Sequence, residues 1–322
     1  MIGQDIRRLG MIGQGISGIG GIGGIGDREQ CRTCRMFFFP TFRRTAVPSD
    51  RPPFRLSAFP PFHPQYYIPP MIHRDDHSLT TVLRLDHGKA HAIDIELANA
   101  LRDRLDESEH DDKVQAVVLT GTGSIFSAGV DIVRVLKDGP DYVEEYVPAL
   151  IKLIVKQFRF PKPLVAAING HAIAGGCVLA AGCDYRIMAR GSGTIGVPEL
   201  TVGLPFPLVA MEVLRFATSE AHLQELVYRG KTYAVTEAYE RGLVDEIVDV
   251  DELLEHATNV ASQLGSEPSA RFRITKRQLR QPTIDRMERY ARETHDEVIA
   301  AWKDPKTMAA ISDYLEGVRA QR

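Results

Sequence analysis

The sequence predicts an α/β domain over about residues 71–267, an appended helical region over 268–322, and a stretch, 1–70, that belongs to no fold. Three observations lead there. From about Leu79, short apolar runs alternate with segments of helical period, the pattern of strands joined by helices. From Pro268 to Arg322 the pattern is helical without a strand. Before Pro70 the chain is first an Ile-Gly repeat and then proline-rich, with nine prolines between Pro40 and Pro70, a density that blocks both helix and central strand.

Taken in order, Leu79–Leu85 alternates with β-branched residues and reads as a strand. Asp94–Glu107 reads as a helix with Leu97, Leu101 and Leu105 on one face. Val114–Thr120 is a continuous apolar run, the mark of a strand covered on both faces. Further strands are expected at Leu164–Asn169, behind Pro161 and Pro163, and at Tyr185–Ala189. Helices are expected around Pro207–Phe216, Ser219–Arg229, Val235–Arg241 and Asp251–Leu264.

Of the 322 residues, 44% are hydrophobic and 25% charged, as in ordinary globular chains. The net charge of −3 hides an asymmetry: residues 1–70 hold nine arginines against four acidic residues, a balance of +5 that leaves −8 for the rest. That excess of negative charge argues against nucleic acid as a partner of the domain. No apolar run reaches the length of a membrane span. Four cysteines make no disulfide framework; Cys177 and Cys183 read as buried thiols, and Cys31–Cys34 lacks the second ligand pair that zinc needs. No metal site is expected. In the first stretch MIGQ occurs at residues 1–4 and 11–14, and Gly18-Gly20-Gly23 and Gly21-Gly23-Gly26 match GxGxxG. Neither match has the flanking strand and helix of a dinucleotide site. Residues 1–70 are read as a disordered or targeting extension, or as an upstream stretch ahead of a true start at Met71. The second explanation is favoured and implies a cytoplasmic protein; the first would allow the mitochondrial matrix.

Two glycine turns carry the chemistry. Phe126-Ser127-Ala128-Gly129-Val130-Asp131 follows the buried strand Val114–Thr120, and Asn169-Gly170-His171-Ala172-Ile173-Ala174-Gly175-Gly176-Cys177 follows the strand at Leu164. Each sits where a strand yields to a loop and a helix, so backbone N–H groups are unpaired and the helix dipole favours negative charge. Two such groups aimed at one oxygen make an oxyanion hole. Asp131 is placed to cap the next helix. His171 lacks an orienting partner in the sequence and reads as structural, and Cys177 as a packing residue without a base to activate it.

In this order FSAGVD, NGHAIAGGC, CDYRIMA, IGVPEL and RGLVDEIV resemble the crotonase (enoyl-CoA hydratase/isomerase) superfamily, from about Leu79 to the C-terminus. The resemblance implies a spiral of ββα repeats, the ClpP-like crotonase fold, with a C-terminal helical region that builds homotrimers or dimers of trimers. It implies an acyl-CoA thioester as substrate, with coenzyme A carried by the substrate and no permanently bound cofactor. Carried over residue by residue, the oxyanion donors are Val130 and Gly175 and the catalytic carboxylate is Glu199. Coenzyme and substrate contacts fall at Lys89, Ala90, Ala92, Ala128, Asp131, Ile132, Gly176, Pro198 and Lys276.

Hydratases of this superfamily carry two glutamates to hold and activate water. Where the first is expected, two residues after Gly176, this chain has Val178; the second follows Pro198 as Glu199. The glycine-rich stretch usual after it is replaced by Leu204-Pro205-Phe206-Pro207-Leu208. The pattern resembles the single-glutamate Δ3,Δ2-enoyl-CoA isomerases, in which one carboxylate moves a proton from C2 to C4. Val178, Leu204 and Phe206 are expected to desolvate Glu199 and raise its pKa towards neutrality. A hydratase or dehydratase, a thioester hydrolase, and a non-catalytic acyl-CoA- or RNA-binding protein are the alternatives.

Overall fold

A computed structural model describes residues 70–266 and 269–320. The expectations for the N-terminal stretch, including the GxGxxG matches and the Cys31–Cys34 pair, lie outside the described residues. The chain begins with β1 (Ile72–His77), β2 (Thr80–Leu85), β3 (Ala92–Ile93), α1 (Ile95–His110), β4 (Ala116–Gly121), β5 (Ile125–Ser127) and β6 (Gly129–Val130). It continues with α2 (Ile132–Arg159), β7 (Leu164–Ile168), β8 (His171–Ile173), α3 (Gly175–Ala181), β9 (Tyr185–Ala189), β10 (Thr194–Gly196) and α4 (Glu199–Val202). Then follow α5 (Leu208–Ala217), α6 (Glu220–Arg229), β11 (Thr232–Ala234), α7 (Val235–Glu240), β12 (Glu246–Val248), α8 (Leu253–Ser266), α9 (Ser269–Lys303) and α10 (Pro305–Ala320).

The strands form a six-stranded sheet, β1-β2-β4-β7-β9-β12, a four-stranded sheet, β11-β10-β8-β5, and the pair β3-β6. All neighbours are parallel except β1 with β2 and β10 with β11. This order is a spiral. Each of the units β4-β5-α2, β7-β8-α3 and β9-β10-α4 puts one strand in each large sheet, next to that of the unit before.

Both faces of the six-stranded sheet are covered, which explains its continuous apolar strands. Along β4, Ala116 and Val118 face one way with Val165, Ala167 and Ile187, under Leu253, Ala257 and Ala261 of α8. Val117 and Leu119 face the other way, into the main core with Leu97, Leu101 and Leu105 of α1 and Phe158 and Phe160. The period of two assigns alternate residues to two separate cores.

The recognised motif CDYRIMA is a structural joint. Asp184 accepts hydrogen bonds from Leu164 N at 2.8 Å, Lys276 Nζ at 2.6 Å and Arg280 Nη2 at 2.8 Å, so it anchors α9 to the sheet. Arg186 makes a two-pronged ion pair with Asp245 of RGLVDEIV, its Nε and Nη2 donating at 2.8 Å each. Long helix α2, for which the sequence offers no clean period, is broken at Gly139 (φ 73°) just before Pro140. The region after residue 268 is helical as expected, in α9 and α10. Among the described residues no helix is long and apolar enough to cross a membrane.

Candidate active site

The two glycine turns meet. Asn169 joins them: its Oδ1 accepts from Gly121 N at 3.0 Å, and its Nδ2 donates to Gly123 O at 2.9 Å and Ile125 O at 3.1 Å. The contact between them is so close that side chains are excluded. A Cβ on Gly129 (φ +79°) would stand 2.5 Å from Ile173 O, 2.6 Å from Gly175 N and 2.7 Å from the Ala174 Cβ. A Cβ on Gly176 would overlap Ser127 O. Glycine is required there because backbone meets backbone.

This approach brings two amides close together. Just after β6 the Asp131 N–H donates to Ile93 O of β3 at 3.2 Å; by strand alternation the Val130 N–H points to the opposite edge, where no strand pairs. Gly175 opens α3, whose first intrahelical bond is from Val178 N to Ala174 O, so its own N–H has no partner within the helix. A Cβ on Gly175 would lie 3.6 Å from Val130 N. Ala174, just before, has φ 54° and ψ −126°, a region alanine rarely enters and that costs about 1–3 kcal/mol. Its N–H donates to Gly196 O at 2.8 Å, which holds the strained turn.

Beside the turns lies a cavity of about 380 Å³. Of the residues expected from the sequence, Lys89, Ala90, Ala92, Ala128, Val130, Asp131, Ile132, Pro198 and Glu199 line it. The rim is exposed at Gly88, Lys89 and Val133, whereas the wall built by Val202, Leu204, Leu315 and Val318 is buried.

Glu199 is 6% exposed at the start of α4. Its Oε2 is buried without a hydrogen-bond partner. Burial pushes its pKa up from 4.5 to about 8, a hydrogen bond from its own backbone opposing weakly. Leu204 shares the cavity with it; Val178 is buried in the core, and neither it nor Phe206 lines the cavity. Asp131, the other carboxylate on the lining, accepts from Arg134 N at 3.0 Å as the cap of α2. His171 has its Nδ1 3.0 Å from Thr194 Oγ1 in a buried contact away from the lining. Burial raises the Cys177 thiol, with the Glu199 charge adding to it, so it stays protonated and unreactive.

Two expected contacts are corrected. Lys276 does not reach the cavity: it is 7% exposed, donates to Asp184 and to Lys162 O at 3.0 Å, and holds α9 in place. Burial lowers its pKa to about 8 despite the Asp184 charge. Gly176 is absent from the lining, because its α-carbon packs on Ser127. Gly175 also lies outside the lining, although its neighbours Ala174 and Val130 are in it. The sequence reading missed His87, Ile173, Val202, Tyr314, Leu315 and Val318. For the last three, the signal was the apolar face of α10, Ile311, Leu315 and Val318 at helical spacing.

The sequence of the chain matches the family model described as enoyl-CoA hydratase/isomerase over residues 78–320. The chain belongs to the enoyl-CoA hydratase/isomerase family. It is 28% identical over 219 residues to the rat mitochondrial enoyl-CoA delta isomerase 1, covering 67% of this chain and 76% of that protein. It is 30% identical over 222 residues to the carboxymethylproline synthase of Pectobacterium carotovorum, covering 68% and 88%. The crystal structure of the human mitochondrial delta3-delta2-enoyl-CoA isomerase superposes with a TM-score of 0.75 at 23% identity, covering 78% of this chain and 99% of that one. That likeness shows the crotonase fold. Among the described residues no group of three or more His, Cys, Asp or Glu is arranged to hold a metal ion.

Proposed function

We propose that the protein is a Δ3,Δ2-enoyl-CoA isomerase in which Glu199 alone moves the proton. The observation that carries this reading is Glu199 itself, a buried carboxylate on the lining of an apolar cavity, with a raised pKa and one oxygen without a partner. Ionised, it removes a proton from C2 of a 3-enoyl thioester. The electron pair moves into the carbonyl, and the enolate oxygen rests on the N–H groups of Val130 and Gly175. Glu199 then returns the same proton to C4, leaving the 2-enoyl thioester and the enzyme unchanged. A base that gives the proton back must not hold it too weakly or too strongly, and a pKa near 8 suits that task.

Water addition needs a second acid, and Val178 stands where the resemblance places one. The substrate is read as an acyl-CoA thioester entering past Lys89, with its acyl group towards α4 and α10. Glu199→Gln keeps the shape and removes the base. It should lower isomerisation of a 3-enoyl-CoA about 10²–10⁴-fold, measured as 2-enoyl thioester formed. Retention of most of the parent's activity, or hydration of crotonyl-CoA by a parent that does not isomerise the 3-enoyl ester, would overturn the proposal.

A further inference from the structure

Apart from Glu199, the side of the cavity built by α4 and α10 is apolar except for a tyrosine. Helix α10 directs Tyr314, Leu315 and Val318 to the cavity, beside Val202 and Leu204. Its seat on Glu199's own helix is close: a Cβ on Gly203, which ends α4 at φ +91°, would stand 2.6 Å from the Ala310 Cβ. The wall is therefore held in place, and Tyr314 with it.

Two of the polar side chains on the lining have protein partners. The His87 ring is 2.7 Å from Asp94 through Nε2, and Asp131 caps α2. The Tyr314 hydroxyl has none among the described residues. Burial raises its pKa to about 12, so it stays protonated and is a donor. Phenylalanine would fill the same space with no polar atom, whereas the hydroxyl of the half-buried Tyr314 stays accessible. A tyrosine here places an accessible donor on an otherwise apolar stretch of the lining, where something that enters the cavity can meet it.

We propose that Tyr314 is a specificity-determining residue whose hydroxyl bonds an oxygen on the acyl group, so that the preferred thioester carries a hydroxyl away from its carbonyl instead of a plain hydrocarbon tail. This rests on reading the cavity as an acyl-CoA site. Saturated thioesters test it without needing turnover. Dissociation constants are measured by calorimetry for hexanoyl-CoA against 6-hydroxyhexanoyl-CoA, and for phenylacetyl-CoA against 4-hydroxyphenylacetyl-CoA, with the full chain and with Tyr314→Phe. The parent should bind at least one hydroxylated ester about tenfold more tightly than its plain counterpart, about 1.4 kcal/mol. Tyr314→Phe should erase that difference and keep the plain ester within about twofold, a change of roughly 0.4 kcal/mol. A parent that binds the esters but prefers the plain ones, or a variant that keeps the preference, overturns this inference alone. A parent that binds none of the four overturns the acyl-CoA reading and the inference together. Should Tyr314→Phe not fold, the preference of the parent alone decides.

Discussion

Glu199 shows how one carboxyl group couples chemistry to stability. Folded, it keeps its proton up to about pH 8; in the unfolded chain it releases it near 4.5. Between these values the native state binds more protons than the unfolded state, so stability falls as pH rises through the window. Activity moves the other way. In the proposed mechanism the ionised form is the base, so kcat/KM for a 3-enoyl-CoA should rise with pH and level off above about 8. Glu199→Gln cannot ionise. In urea titrations it should be more stable than the parent near pH 9, by a few kcal/mol at most (about 1.4 per pKa unit), and lose that advantage near pH 4. Equal stability of the two proteins near pH 9 would show that the carboxylate is better solvated than its burial indicates.

At the scale of elements, the proposed oxyanion hole depends on two turns pressed together. Gly129→Ala would put a methyl group against Ile173 O, Gly175 N and the Ala174 Cβ at a residue with φ +79°, and no flexible side chain is there to give way. Activity should fall at least about 10²-fold, as when an oxyanion donor is lost, with a destabilisation of about 1–3 kcal/mol from overpacking. Ala174→Gly is the contrasting change at the same joint. It relieves a strained φ of 54° and should leave stability unchanged or raise it, read as the melting temperature. Strain kept in Ala174 for aiming the Gly175 amide would appear as a lower kcat in that variant despite the greater stability.

For the whole molecule, the ion cluster at Asp184 decides how the C-terminal helices are held. Lys276 and Arg280 are buried and both bond Asp184; Arg280 also donates to Phe158 O and Gly182 O and lies 4.3 Å over the Phe158 ring. Asp184→Asn leaves two buried cations short of their counter-charge and should cost about 3–5 kcal/mol in urea unfolding. Because α10 follows α9 and walls the cavity, acyl-CoA affinity should weaken in the same variant, measured by calorimetry at a temperature where it is still folded. Unchanged affinity would show that α10 keeps its seat on α4 without the anchoring of α9.

The sequence by itself determined the local facts. Period and apolar runs located the strands β2, β4, β7 and β9 and the helices α1 and α5–α8 within a few residues, because burial on known faces dictates those patterns. Order of motifs singled out Val130, Gly175 and Glu199 as candidates. Strands of two or three residues such as β3, β6 and β8 were illegible, since they hold their shape only by pairing with partners far along the chain. The broken helix α2 was hidden for a related reason: Gly139-Pro140 interrupts its period. What only the tertiary structure decided is which side chains meet. It turned Lys276 from a coenzyme contact into a buried anchor of Asp184, and brought Tyr314 to the wall of the cavity that holds Glu199. Spacing along a chain encodes which face a residue occupies, but distances between faces far apart along the chain are set by packing alone.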